Sequence, residues 1–124
     1  NLREVSHVLR NVTICSGDYE LSLRSARKGD FVYFDPPYLP ISKYSDFKRY
    51  TKDSFYEKDH VRLSEVFREL DTKGCYVMLS NSDHPLVHKL FHSYNFRTVQ
   101  ARRLINKIAA KRGKINELVI RNYE

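Results

Sequence analysis

At 124 residues the chain has the length of one ordinary domain with one core, and its apolar fraction of 41% and aromatic fraction of 13% exclude disorder and low complexity. No apolar run approaches the roughly 20 residues of a membrane span, and the opening NLREVSHVLR lacks the apolar centre of a signal peptide. The formal charge of +7 is concentrated: seven of the 22 basic residues lie between Arg97 and Lys114, no acid does, and the remainder balances at fifteen of each sign. That is the footprint expected for binding a polyanion, although a solvated basic surface has the same composition. Cys15 and Cys75 stand far apart without CxxC spacing, the pattern of free thiols in a reducing compartment, so a cytoplasmic location without membrane contact is expected.

VTIC (Val12 to Cys15), a short β-branched run ending in Ser16-Gly17-Asp18, reads as a strand. Leu21 and Leu23 open a short helix or turn that Gly29-Asp30 closes. FVYF then reads as a strand apolar on both faces, as in the interior of a parallel sheet. Pro36-Pro37-Tyr38 begins a long polar loop in which Tyr44, Phe47 and Tyr50 alternate with Lys43, Lys48, Arg49 and Lys52. Ser54 and Glu57 have capping-box spacing, and Val61, Val66, Phe67 and Leu70 form one face of a helix that Gly74 stops. CYVMLS (Cys75 to Ser80) is a second buried strand. Asp83 with Pro85 marks a helix whose apolar face is Leu86, Leu90 and Phe91. FRTVQA and ELVIRNY read as a pair of antiparallel strands joined by the basic loop INKIAAKRGK. The order predicts an α/β sheet of parallel strands with an antiparallel end. Ligands of such sheets bind beyond the carboxyl ends of the strands, where Asp18, Asp35 and Asn81 are expected.

The apolar run FVYF ends in Asp35-Pro36-Pro37-Tyr38. An aspartate there is poor for packing, and two prolines stiffen the backbone and remove two N–H donors. Carbonyl and carboxylate acceptors are left beside a flat ring, a combination suited to an amine on a planar heterocycle. Accepting both amine hydrogens out of the ring plane favours tetrahedral nitrogen and frees its lone pair to attack, an interaction stronger in the transition state than in the ground state.

DPPY is the catalytic motif of amino-methyltransferases that use S-adenosylmethionine, and the sequence from about Ile14 onward resembles the C-terminal half of a Dam-type, D12-class DNA adenine-N6 methyltransferase. The resemblance rests on GDY, DPPY, a loop carrying Phe47 and Tyr50, LSNSD (Leu79 to Asp83), Arg103 with Ile105, and Arg112-x4-Glu117-Leu118 leading to Asn122-Tyr123. It implies a Rossmann-like S-adenosylmethionine-dependent fold, incomplete here, in which residues 1–11 remain from a target-recognition insertion and residues 12–124 form the C-terminal part of the catalytic domain. It implies that Asp35, Pro36, Pro37 and Tyr38 hold and activate an adenine flipped from double-stranded DNA. Asp18, Tyr19 and Asp35 would meet the methyl donor, and Lys43, Lys48, Arg103, Lys111, Arg112 and Lys114 would contact DNA, mainly its phosphates.

One departure shapes the expectation. The family's glycine-rich FxGxG segment and its ribose-binding acid are missing, since Gly17, Gly29, Gly74 and Gly113 are scattered and none precedes GDY. The first two strands of that fold, which lie between the strands ending at Asp18 and Asp35, are missing with them. The chain is therefore expected to be inactive alone and to associate with a complementary N-terminal half or with itself. An RNA or protein amino-methyltransferase and a non-catalytic nucleic-acid-binding remnant are the competing readings. His84, His88 and His92 share a helix face, but with no further ligand nearby they read as solvated, and no metal is expected.

Overall fold

The computed structural model describes residues 1–41, 55–102 and 114–124. Its elements in chain order are α1 (Leu2–Leu9), α2 (Tyr19–Leu23), β1 (Phe31–Phe34), α3 (Glu57–Thr72), β2 (Tyr76–Ser82), α4 (Pro85–Leu90), β3 (Asn95–Arg102) and β4 (Lys114–Arg121). The four strands form one mixed sheet in the order β1-β2-β4-β3. β1 and β2 are parallel, with Phe31 opposite Tyr76 and Phe34 opposite Leu79. β4 runs antiparallel to both of its neighbours. The expected antiparallel pair is present, but it does not simply extend the sheet. The crossover through α4 sets β3 one position beyond β2, and β4 folds back into the space between them.

Alternation along the strands decides where the core lies. Phe34, Val77, Leu79, Leu118 and Ile120 point to one face and are buried there by Leu63, Val66, Phe67 and Leu70 of α3 and by Val87 and Phe91. Phe67 is the centre of this layer, with its ring 5.4 Å from Phe91 and 4.6 Å from Tyr94. The opposite face is uncovered among the described residues. Phe31, Tyr33 and Tyr76 are each at least half exposed there, and Tyr123 joins Phe31 and Tyr76 edge to face. Among the described residues β1 also pairs on one side only, with β2, so its outer edge is open as well as this face.

The helix boundaries have local causes. α3 has Tyr56 at its N-cap, and the Asp59 carboxylate accepts from the Tyr56 backbone N–H at 2.7 Å; Ser54, the expected capping-box residue, lies outside the described residues. Val61, expected on its buried face, is 39% exposed, and Leu63 and His60 are buried instead. Gly74 ends the helix at φ +80, where a Cβ would also come within 3.0 Å of the Lys28 side chain. α4 is capped by His84, whose Nδ1 accepts from the Leu86 N–H at 3.1 Å. β2 runs two residues further than expected and takes in Asn81 and Ser82.

Two sequence expectations fail at the N-terminal side. Val12 to Cys15 is not a strand: residues 12–16 have no regular structure, and Val12 and Ile14 are exposed. A β-branched run becomes a strand only where a partner accepts its ladder hydrogen bonds, and among the described residues it has none. Asp18 consequently follows an extended segment, not a strand. Residues 2–9 form a helix that the sequence reading left unassigned, and none of its residues is buried. Both cysteines are free, Cys15 exposed and Cys75 buried. No helix among the described residues is long and apolar enough to cross a membrane.

Candidate active site

Asp35 leaves the carboxyl end of β1, and the next strand, β2, places a serine beside it. Ser80 Oγ donates to Asp35 Oδ1 at 3.0 Å and lies 2.9 Å from the Tyr33 hydroxyl. Ionised, Asp35 can only accept, so the single serine proton goes to it and Tyr33 donates to Ser80. Ser80 also hydrogen-bonds Tyr38. Burial raises the Tyr38 hydroxyl above its usual range, and the bond to Ser80 moderates that rise. A single buried hydroxyl thus joins Asp35 and Tyr38, the first and last residues of DPPY. Asp35 itself is exposed, Pro36 half-buried and Pro37 exposed. The carboxylate faces outward from a fixed strand end.

The chain beyond Tyr38 is anchored by the last two residues of β2. The buried Asn81 Oδ1 accepts from the Leu39 N–H at 3.2 Å and from the Ser82 N–H at 2.9 Å, and Ser82 Oγ donates to the Leu39 carbonyl at 2.7 Å. Leu39 is therefore held by both its N–H and its C=O, as if it were paired in the sheet. Asn81 Nδ2 lies 3.3 Å from His60 Nδ1, which connects this anchor to α3. Two prolines contribute no N–H to a ladder. Side chains of Asn81 and Ser82 supply the missing backbone connections, and DPPYL keeps one path across the end of the sheet.

A second cluster forms at the N-terminus of α2. Asp18 caps that helix, accepting from the Glu20 N–H at 3.0 Å. Arg62 of α3 donates to Asp18 at 2.9 and 3.1 Å, pairs with Glu20, and lies 5.3 Å from the centre of the Tyr19 ring. The Glu20 backbone bond first, and the Arg62 guanidinium second, hold the Asp18 carboxyl below its usual range. Tyr19 stands edge-on to Phe34, with ring centroids 6.1 Å apart, and so connects this cluster to the residue before Asp35. Burial raises the Tyr19 hydroxyl above its usual range, and that hydroxyl has no hydrogen-bond partner among the described residues.

The structure thus brings Asp35 and Tyr38 together through Ser80, and ties Asp18 and Tyr19 to the same strand end through Phe34. Asn81, expected to follow a strand, lies within one and is structural. Lys43, Lys48, Arg103, Lys111 and Arg112 lie outside the described residues, as do Tyr44, Phe47 and Tyr50; Lys114 opens β4. The histidines are engaged separately. His84 caps α4, His88 pairs with Asp83 at 2.7 Å and stacks on Phe96, and His92 meets the Lys89 carbonyl. Among the described residues no group of His, Cys, Asp and Glu has the arrangement of a metal site. Sequence reading missed Ser80, Ser82 and Arg62. The serines carried a signal, since hydroxyls at the end of an apolar strand are costly unless they bond something. Arg62 carried none, being one basic residue on an otherwise polar helix face.

The family model for the D12 class N6 adenine-specific DNA methyltransferases matches residues 1–105. The chain is 44% identical over 124 residues to the Type II methyltransferase M1.LlaDCHI of Lactococcus lactis subsp. cremoris, covering 98% of this chain and 44% of that protein. It is 44% identical over 125 residues to the Type II methyltransferase M.MjaIII of Methanocaldococcus jannaschii, covering 99% of this chain and 43% of that protein. A DNA adenine methylase of Serratia marcescens is 32% identical over 111 residues, which is 89% of this chain and 41% of the methylase. The chain spans less than half the length of these curated relatives. On the extent of the family match, and with Asp35-Pro36-Pro37-Tyr38 at the carboxyl end of a parallel strand, the chain belongs to the D12 class of N6 adenine-specific DNA methyltransferases.

Proposed function

We propose that this chain forms the substrate-activating part of a DNA adenine-N6 methyltransferase with a Rossmann-like S-adenosylmethionine-dependent fold. The observation that carries the reading is the Asp35 carboxylate, exposed at the end of β1 with one oxygen held by Ser80. Among the described residues its other oxygen takes no donor, and it is open to an incoming amine. The flipped adenine would lie against Tyr38, with its N6 hydrogens donated to that oxygen and to a backbone carbonyl of the proline segment. These acceptors pull the N–H bonds out of the ring plane and localise the lone pair on nitrogen. S-adenosylmethionine, when bound, supplies a methyl group on a positively charged sulfur that leaves as a neutral thioether. As nitrogen takes up that methyl group, Asp35 would hold the amine in place, and the excess proton on nitrogen would pass to Asp35 or water. No metal or covalent enzyme intermediate is needed.

The residues at α2 suit one end of such a donor. The unpartnered Tyr19 hydroxyl, its ring and the Asp18 carboxylate offer polar groups beside an aromatic surface, which fits an amino-substituted ring. Gly17, at φ +140 with open space where a Cβ would stand, gives backbone access there. Among the described residues nothing equivalent fits the methionine end, so the rest of the donor site is assigned to the remainder of the domain. The uncovered face at Phe31, Tyr33 and Tyr76 and the open edge of β1 are where that remainder would pack. α1 and the residues up to 11 are assigned to the target-recognition insertion, and Lys43, Lys48, Arg103, Lys111, Arg112 and Lys114 to DNA phosphates.

The test is transfer of labelled methyl to adenine-containing duplex DNA, with RNA and protein as competing acceptors. The chain is assayed alone and after combination with an N-terminal half carrying FxGxG. Label at adenine N6 in DNA, from the combination only, is expected. Preferential labelling of RNA or protein would overturn the substrate assignment, and full activity of the chain alone would overturn the division of the donor site.

A further inference from the structure

Ser80 is buried at the carboxyl end of β2, with 6% of its surface exposed. It lies on the sheet face that carries Tyr33 and Met78, not on the face that packs against α3. A hydroxyl there has no packing role that alanine would not fill. Its hydrogen-bonding capacity is one proton and two lone pairs. The proton goes to Asp35 at 3.0 Å and Tyr33 occupies one lone pair at 2.9 Å, with Tyr38 also beside this hydroxyl. Two of its three neighbours, Asp35 and Tyr38, belong to the DPPY segment.

We infer that Ser80 is the positioning residue for Asp35, fixing which carboxylate oxygen faces the substrate amine and in what plane. An exposed aspartate on a strand end otherwise rotates freely about its terminal torsion, which is broad and roughly two-fold. Holding Oδ1 to a side chain that is buried in a strand turns the other oxygen outward in one orientation. The Tyr33 hydroxyl donating into Ser80 polarises its O–H bond and strengthens its donation to the carboxylate. The inference rests on the role proposed above for Asp35.

The experiment uses the active methyltransferase that contains this chain. Ser80→Ala is expected to lower kcat by about ten- to a hundredfold, as a misoriented reacting group does, with KM for DNA and donor affinity nearly unchanged. Ser80→Thr, which keeps the hydroxyl, is expected to recover most of that loss. Tyr33→Phe, at a half-exposed site where folding is not at stake, leaves the serine proton on Asp35 and should cost less than Ser80→Ala. An unchanged kcat in Ser80→Ala, equal losses in the alanine and threonine variants, or a Tyr33→Phe loss as large as that of Ser80→Ala would each overturn the assignment. Asp35→Ala, measured alongside, separates the two levels. If it retains activity, the catalytic reading itself fails; if it is inactive while Ser80→Ala is fully active, only the positioning role fails.

Discussion

Asn81→Ala tests how the proline segment is held in place. The Asn81 side chain is fully buried, and its Oδ1 serves two backbone donors at once, Leu39 at 3.2 Å and Ser82 at 2.9 Å. Both residues are themselves buried, at 5% and 3% exposure, so water does not readily replace the lost acceptor. A stranded buried donor costs about 1–3 kcal/mol. Two of them, partly relieved by relaxation into the space the amide leaves, give an expected loss of about 3 kcal/mol. Ser82→Ala removes one bond, 2.7 Å long, to the same residue's carbonyl, and should cost about 1 kcal/mol. Because both side chains hold Leu39, the double variant should lose less than the sum. Urea unfolding gives the three values, and amide hydrogen exchange at Leu39 reports the local event. An Asn81→Ala loss below about 0.5 kcal/mol, within the range of ordinary surface substitutions, together with unchanged Leu39 protection, would refute the anchor.

Three further outcomes are expected. Arg62→Ala should raise the Asp18 carboxyl only part of the way to its usual value, because the larger cause, the Glu20 backbone bond, survives; a carboxyl-resolved NMR titration reads this, and full reversion would contradict it. Since the folded Asp18 value is lowered, its stabilisation is present above the ordinary value of 3.8 and is lost as pH falls through the folded value, less steeply in the variant. Tyr94 is pushed up to about 12 by burial first and the Asp71 charge second. Its contribution is therefore complete below the ordinary value of 10.0 and is lost as pH rises through about 12, so the wild-type advantage over Tyr94→Phe should shrink across that window in denaturant titrations. Replacing Lys111, Arg112 and Lys114 by alanine should lower the slope of log affinity for DNA against log salt by about one unit per lost phosphate contact. An unchanged slope would make the basic segment a solvated surface only.

Elements with a local cause were legible in the sequence. FVYF, the run from Cys75, and the stripe Val66, Phe67 and Leu70 announce strands and a helix through periodicity and a glycine stop, and the structure has them. Among the described residues, however, β1 is an edge strand with Phe31 and Tyr33 exposed, not the interior strand its composition suggests. The reading failed where the cause is not local. Val12 to Cys15 has strand composition but no ladder partner among the described residues, and composition cannot report a partner's absence. The insertion of β4 between β2 and β3 is decided by the crossover, which periodicity does not encode. At the site, the DPPY segment could be singled out as a candidate because proline, acid and ring each constrain what can bind. Ser80, Asn81 and Ser82 were seen as part of a motif, but their function depends on register. Only the pairing of Phe34 with Leu79 brings Ser80 level with Asp35.

The central claim is that the Asp35 carboxylate acts on the amine in the transition state and does nothing for the fold. The direct measurement is single-turnover methyl transfer by Asp35→Ala in the active enzyme, with donor and DNA affinities and the urea midpoint determined on the same preparation. Asp35 is exposed and its one bond among the described residues is to Ser80, so the midpoint should stay near wild type, and single-turnover transfer at saturating donor and DNA reports the chemical step apart from any change in affinity. The transfer rate should fall by the equivalent of about 2–4 kcal/mol, by analogy with loss of one preorganised group in an oxyanion site. Transfer at close to the wild-type rate would contradict the account.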